Sequence, residues 1–568
     1  MTTTSPTLIG PRAANTNVAN TKTALDSAPV GDIKGAFGTI STEDTGSRRS
    51  MSAKLKTLLA IIGPGLIVMV GDNDAGAFST YGQAGQSYGT KLLWTFLLLV
   101  PVLYVNQEMV LRLGAVTGVG YAKLLLERFG RFWGAFSVIN LFVLNALTLI
   151  TEFIGIALAA SYLGVPKAVA VILAGLVIVL AASTGSLRRF ERMAMIFCVG
   201  SLLLIPLYLI AHPPIGQMAA GFAIPSIPGG SGGLSTVMLL IIGIVGTTIA
   251  PWQLFFQQSY VIDKRITPRF MRYEKADLWI GIVIVVVGGA ALMGATAAAF
   301  AGVHHSQFHH GQFTDASGLA AGLSAYAGHA AGALFAVALL DASMIGAFAV
   351  SLSTAYAVGD MLGLKHSLHR GVKQAKGFYA MYAALIALAA IVVLIPGSPL
   401  GLFTVGVQVL AGVLLPSATV FLLMLCNDKQ VLGPWVNGKG SNIAASIVIG
   451  ALVVLSAILM ASVLFGSVSS TQVMAILAGA AAVGVVAAAV IGVRGWHRRR
   501  LGLVKAAPHP GKLMDRKTRE NWRMPPLAML APVKMSTGRR VAMLAMWAYL
   551  AVAFVLVIVR VIQLAIGH

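Results

Sequence analysis

The sequence predicts an all-α polytopic membrane protein, and three observations carry that expectation. The 568 residues are 57% hydrophobic and only 11% charged, where soluble domains carry roughly 25% charged residues. Apolar runs long enough to cross a bilayer, about 18 residues or more, recur along the whole chain. Lys and Arg gather in alternate loops between those runs. The runs lie near 55–80, 92–111, 134–162, 166–184, 193–212, 236–260, 277–301, 330–358, 378–397, 401–426, 442–466, 471–493 and 541–566. That makes about thirteen spans, the one at 166–184 being short.

Charge sets the expected orientation. The loops after spans 2, 4, 6 and 8 hold Lys123, Arg128 and Arg131; Arg188, Arg189 and Arg192; Lys264 to Lys275; and Lys365 to Lys376. Positive loops stay in the cytoplasm. The amino terminus is therefore expected inside, in a plasma (bacterial inner) membrane, and thirteen spans put the carboxyl terminus outside. Residues 1–50 read as a polar, disordered cytoplasmic tail with no signal peptide. Residues 51–493 form the membrane domain, 494–540 a basic segment, and 541–568 an additional helix. The formal net charge of +22 does not point to nucleic acid, because it lies in these loops. Between 494 and 540 thirteen Lys and Arg face only Asp515 and Glu520, which suits anionic lipid at about 1 kcal/mol per charge. Cys198 and Cys426, in apolar runs, build neither a disulfide framework nor a cysteine metal site.

Two spans are interrupted. The first contains Gly71-Asp72-Asn73-Asp74-Ala75-Gly76, and the sixth contains Gly246-Thr247-Thr248 followed by Ile249-Ala250-Pro251-Trp252-Gln253. Asp and Asn compete for backbone hydrogen bonds, and Pro removes a donor. Unwound backbone at membrane depth survives only inside protein or beside a cavity. Two breaks five spans apart predict an inverted repeat of five helices each, with a substrate held between the breaks.

These residues resemble the NRAMP metal-ion transporters, whose first helix carries Gly-Pro-Gly, eight residues, then Asp-Pro-Gly-Asn. Here Gly63-Pro64-Gly65 precedes Asp74 by that spacing. The resemblance continues through RLGAVTG (112–118), TEFIG (151–155), LRRFE (187–191), GTTIAPWQLFFQQS (246–259) and QVLAGVLLPSATVFLLMLCNDKQVLG (408–433). It implies a LeuT-like fold, with helices 1 and 6 unwound at mid-membrane around a divalent metal. Carried over by position, the family's carboxylate ligand is Asp74, while the ligating Asn becomes Ala77 and the ligating Met becomes Ala250. The helix 6 carbonyl falls on Thr247. The two helix 6 histidines become Trp252 and Gln257, the helix 3 acidic pair is reduced to Glu152 beside Leu149, and the helix 10 glutamine aligns with Leu414.

A thioether selects transition metals, whereas Mg²⁺ keeps several waters and binds through one or two carboxylates. Loss of Met and Asn therefore resembles the NRAMP-related magnesium transporters, implied to carry Mg²⁺ and Mn²⁺. Asp74, the carbonyls of Thr247 and Ala77, and Asp72, Thr248 and Gln253 are the candidate metal-site residues. Glu152, Asp341, Glu108 and Trp252 are candidates for the ion pathway or its coupling. Glu108 also has Arg112 four residues on, which needs no role beyond an ion pair. Asp277 and Asp360, near the cytoplasmic boundary, are expected to be solvated or loop-paired. His304, His305, His309 and His310 form a His-rich external loop. The depleted histidines predict weak or absent proton coupling, with the membrane potential supplying about 2.3 kcal/mol per charge per 100 mV. The expectation is a non-enzymatic, alternating-access divalent cation importer that needs no cofactor, the metal being cargo. Alternatives are a proton-coupled Mn²⁺/Fe²⁺ transporter of the family, or a non-transporting membrane sensor on the same scaffold.

Overall fold

The computed structural model describes residues 31–44, 46–228, 233–300, 315–395, 400–464 and 514–530, with isolated positions between 472 and 555. A hairpin, β1 (Ile33–Gly35) and β2 (Gly38–Ile40), leads into the first span, which is built of α1 (Met51–Ile61), α2 (Pro64–Val70) and α3 (Ala75–Tyr88). The second span is α4 (Trp94–Thr117); a short α5 (Tyr121–Phe129) precedes the third, α6 (Arg131–Tyr162). The fourth is α7 (Lys167–Ala182), and the fifth joins α8 (Leu187–Gly200) to α9 (Leu204–Ala211). After α10 (Ile215–Ala223), the sixth span is split into α11 (Gly233–Thr248) and α12 (Pro251–Asp263). Spans seven to ten are α13 (Met271–Phe300), α15 (His329–Leu362), α16 (Lys376–Leu394) and α17 (Leu400–Cys426), with α14 (Ala316–Ala327) before the eighth. Then come α18 (Lys429–Leu432), an eleventh span α19 (Lys439–Leu464) and α20 (Arg516–Asn521).

Among the described residues, nine helices are long and apolar enough to cross a membrane, and the bent pair α1–α2 makes a tenth span. The shorter apolar α7 matches the fourth expected run. The runs at 471–493 and 541–566 are described only at isolated positions, and the histidine loop at 304–310 lies outside the described residues. The sixth span is the axis of the bundle: its apolar window is 94% buried, against 28% for the fifth. Around it the most extensive packing joins α6 to α15 and α11 to α17. Helices buried so fully leave no water for an interrupted backbone, so each break must be satisfied by protein groups.

The first span shows how. Pro64 cannot donate, and α1 and α2 meet at a 56° bend. The carboxylate of Asp277, on α13, accepts the amides of Gly63 (3.1 Å), Gly65 (2.7 Å) and Leu66 (3.2 Å). Asp277 is fully buried, which corrects the expectation of a solvated or loop-paired acid: the orphan donors at the start of α2 draw it inward. Asp360 does pair with a loop residue, His366 Nε2, at 3.1 Å.

The amino-terminal region also departs from the sequence reading. Residues from 31 onward, expected as disordered tail, form the β1–β2 hairpin, which buries Ile33, Ala36 and Ile40. Three-residue strands carry too little periodicity to announce themselves in sequence. The described part of the basic segment, 514–530, packs on protein. Trp435 Nε1 donates to the Arg519 carbonyl (2.9 Å), and the Arg519 guanidinium lies 4.0 Å from the Trp435 ring centroid.

Replacing Asp277 with Ala leaves three amides without their acceptor, an expected loss of about 3 kcal/mol. Thermal unfolding of the detergent-solubilised protein should show a clear drop in melting temperature for Asp277→Ala and a smaller one for Asp277→Asn.

Candidate functional site

Between α2 and α3 the backbone turns through Gly71, Asp72 and Asn73, with the amides of Asp72 and Asn73 bonding back to Met69 and Val70. Asp74 then caps α3: its Oδ1 accepts the Ala77 amide at 2.9 Å. A carboxylate is favoured there by the exposed amides and by the positive end of the helix dipole. In the sixth span, α11 stops at Thr248 and α12 begins at Pro251. Ala250 holds the N-cap position with no side-chain hydrogen bond. The last carbonyls of α11, Thr247 among them, have no intrahelical donor.

The groups around Asp74 come from several helices. Glu152 of α6 accepts the Ala75 amide through Oε2 (3.2 Å) and faces the Asp74 carboxylate. The Thr247 hydroxyl faces it from α11. Gly346 of α15 closes the third side: a Cβ there would lie 2.7 Å from Glu152 Oε2 and 3.0 Å from Asp74 Cβ. Asp74, Glu152 and Thr247 are each buried to 1% exposure or less.

A second group of polar side chains links the two breaks. Tyr81 of α3 and Thr248 share a hydroxyl hydrogen bond of 2.7 Å, and Thr248 also donates to Ile244 O at 2.6 Å. Gln107 of α4 donates to Gln253 Oε1 (2.8 Å), while Gln253 Nε2 reaches Thr248 O at 3.4 Å. Asp72 is wholly buried, neither carboxylate oxygen makes a hydrogen bond that meets ordinary geometry, and Asp74 and Gln253 lie beside it. Trp252 fills the space under the first break, with its carbonyl held by Ser353 Oγ (2.8 Å) and its ring beside Gly71.

Asp74, Thr247, Thr248, Gln253, Asp72, Glu152 and Trp252 thus gather around the two breaks. Three of the sequence-derived candidates fall elsewhere or serve otherwise. Ala77 sits in the first turn of α3, where its carbonyl enters the helical ladder and is not free for a metal. The turn chosen by the Asp74 cap decides this, and it corrects the assignment of that carbonyl as a ligand. Asp341 points away from Asp74, toward Gly200 of α8. Glu108 pairs with Arg112 (3.2 Å) and Lys275 (2.8 Å) near the basic-loop face.

One residue was missed. Gln408 of α17 packs directly on Gly76, where any Cβ would collide with its amide, and its Nε2 has no hydrogen-bond partner. The resemblance placed the helix 10 glutamine at Leu414, which instead lines a small cavity with Asn140, Pro251 and Phe255. The signal was present in the sequence: a carboxamide inside an apolar span is costly unless it has a task. Among the described residues no three of His, Cys, Asp and Glu are grouped to hold a metal ion.

A family model described as "Natural resistance-associated macrophage protein-like" matches residues 65–462. The chain belongs to the Nramp family. This Nramp chain also superposes on the crystal structure of an Eremococcus coleocola manganese transporter in complex with an aromatic bis-isothiourea substituted compound. The TM-score is 0.61 at 22% identity, covering 80% of this chain and 98% of that one. A histidine-to-alanine mutant of the same transporter gives 0.61 and 22%, with 82% and 97% covered. Identity at this level establishes a shared fold. The Nramp chain is accordingly a mostly helical, multi-pass membrane protein.

Gly76 and Gln408 should behave as one unit. Gly76→Ala is expected to destabilise the protein by about 1–3 kcal/mol through overpacking, and adding Gln408→Ala should recover most of that loss. A double-mutant cycle of melting temperatures in detergent measures the coupling.

Proposed function

We propose that this Nramp protein is an alternating-access importer of divalent cations, taking Mg²⁺ and Mn²⁺ with part of their hydration shell and with weak or no proton coupling. The observation that carries the reading is Asp74, a buried carboxylate at the meeting point of two helix breaks. Beside it, alanines stand where the family's sulfur and carboxamide ligands would be. The remaining donors are oxygens: the Asp74 carboxylate and the Thr247 carbonyl and hydroxyl. Hard cations accept such a set, and Mg²⁺ retains waters that Thr248, Gln253 and Asp72 could order. Ca²⁺, which needs six to eight close oxygens, is poorly served. The manganese transport named for the Eremococcus coleocola protein is consistent with this substrate class.

The concentration of Lys and Arg in alternate loops supports a cytoplasmic position for the face bearing Arg128, Arg188 and Lys264. Import then runs down the membrane potential toward that face. The lipid-facing helices, with the basic residues of 494–513 and 531–540, fit a membrane rich in anionic lipid.

One observation favours a second reading. Glu152 lies against Asp74, and two carboxyls in contact cannot both ionise easily. A proton held between them and displaced by the metal would give the proton-coupled Mn²⁺/Fe²⁺ transport set out as an alternative above.

Purified protein in liposomes separates the two. Asp74→Ala should reduce Mg²⁺ and Mn²⁺ uptake to the leak of empty liposomes; undiminished flux would remove Asp74 from the site. Excess Mn²⁺ should suppress Mg²⁺ uptake, and equal Ca²⁺ should not. A pH-sensitive dye trapped inside should stay flat during uptake, with no response to an imposed pH gradient. Stoichiometric acidification, lost in Glu152→Gln, would instead establish the proton-coupled reading.

A further inference from the structure

The β1–β2 hairpin is tied to the membrane domain more closely than its length suggests. Its strands pair antiparallel, Ile33 with Ile40 and Gly35 with Gly38, leaving Ala36 and Phe37 at the turn. Main-chain groups of that turn are the ones engaged. The Ala36 amide donates to Glu191 Oε2 at 2.5 Å, and its carbonyl accepts from Arg192 Nε at 3.0 Å. Arg188 Nε reaches Gly35 O (3.1 Å) and its Nη2 reaches Gly38 O (3.3 Å) and the Thr39 hydroxyl. All three side chains belong to α8, in the fifth span.

Glu191 passes the connection onward. Its Oε1 accepts from Lys264 Nζ at 2.5 Å, and the same ammonium donates to Ile61 O (2.7 Å) and Ile62 O (2.8 Å). Those are the carbonyls left unpaired where α1 ends. Glu191 and Lys264 are both fully buried, so neither has solvent to fall back on if the other withdraws. On its other side the hairpin lies on α1: a Cβ at Gly35 would run into the Ala60 carbonyl, and one at Gly38 would lie 3.0 Å from Ala60 Cβ. Arg265 Nη1 donates to Asp32 O (3.4 Å), and Arg269 holds the carbonyls of Asp44 and Gly46.

These contacts cross a boundary. Residues of α1 and α8 belong to the first five spans, while Lys264, Arg265 and Arg269 follow the sixth. Alternating access requires the two repeats to move against each other, and the hairpin spans them on the basic-loop face. We propose that the β1–β2 hairpin, residues 32–44, is a latch that holds the inner half of the first span, the fifth span and the end of the sixth together. The latch keeps the basic-loop face closed below Asp74, and its release opens that face for the cation to leave. The proposal rests on the transport reading only for the identity of what leaves.

Its test reads the opening directly, apart from any flux. In full-length protein carrying Cys198→Ala and Cys426→Ala, Met69→Cys places a thiol on α2, below Asp74. Met69 is 0% exposed with the latch in place. Labelling by a charged maleimide is measured in proteoliposomes with the basic-loop face outward. Adding Ile33→Asp and Ile40→Asp, which expel the hairpin from its apolar seat, should raise the labelling rate about tenfold by enlarging a minor open state. Size-exclusion profile and melting temperature check that the membrane domain remains folded. Equal labelling of the intact and expelled hairpins would overturn the latch. Labelling that shifts as expected while no form passes Mg²⁺ or Mn²⁺ would uphold the latch and reject the transport reading.

Discussion

A helix cannot be interrupted inside a membrane unless something else takes up the hydrogen bonds it gives away. That constraint orders this protein. The first span is interrupted twice, and each time a carboxylate stands at the start of the next segment. Asp277 reaches across from α13 to receive three amides at the head of α2. Asp74, supplied by the span itself, caps α3. The two acids differ in what they have left to give. All of Asp277 is absorbed in holding backbone, whereas Asp74 lies where α6, α11, α15 and α17 converge. One break is therefore a structural joint, and the other is the proposed site.

In the transport reading proposed above, the chemistry around Asp74 depends on Ala250 and Trp252 standing where the resemblance implies a thioether and a histidine. The polar groups that remain, Tyr81, Thr248, Gln107 and Gln253, are chained to one another. In that same reading, they would position water rather than strip it, and selectivity would come from hydration energy and cavity shape rather than from ligand softness.

Much of this was legible in the sequence, because the bilayer imposes strong patterns. Apolar runs marked the spans, arginines marked one face, and the Asp, Asn, Gly and Pro residues at 71–76 and 246–251 marked both breaks. What escaped depends on contacts between distant segments. Whether Asp277 faces water or protein is decided by the unpaired amides of Gly63 to Leu66, more than two hundred residues away. Gln408 was visible as a carboxamide in an apolar run, but only packing on Gly76 placed it at the site. Ala77 failed as a ligand because capping by Asp74 winds it into the helix, a one-residue choice that composition cannot resolve. The hairpin at 33–40 was hidden by its brevity, its strength coming from arginines on α8 rather than from its own residues.

Glycines on both sides of the joint between α2 and α13 give it a particular character. A Cβ on Gly65 would press the backbone of Leu278 at 2.7 Å, and one on Gly281 would meet the Gly65 carbonyl at 2.9 Å. Backbone therefore comes close to backbone here, with the Met69 side chain seated on Gly281 between them. Interdigitated side chains must leave their rotamer wells before two helices can shift, and glycines on both faces leave fewer of them to move. The surface between these helices resembles a bearing, and the Asp277 carboxylate is the pin that sets where it stops.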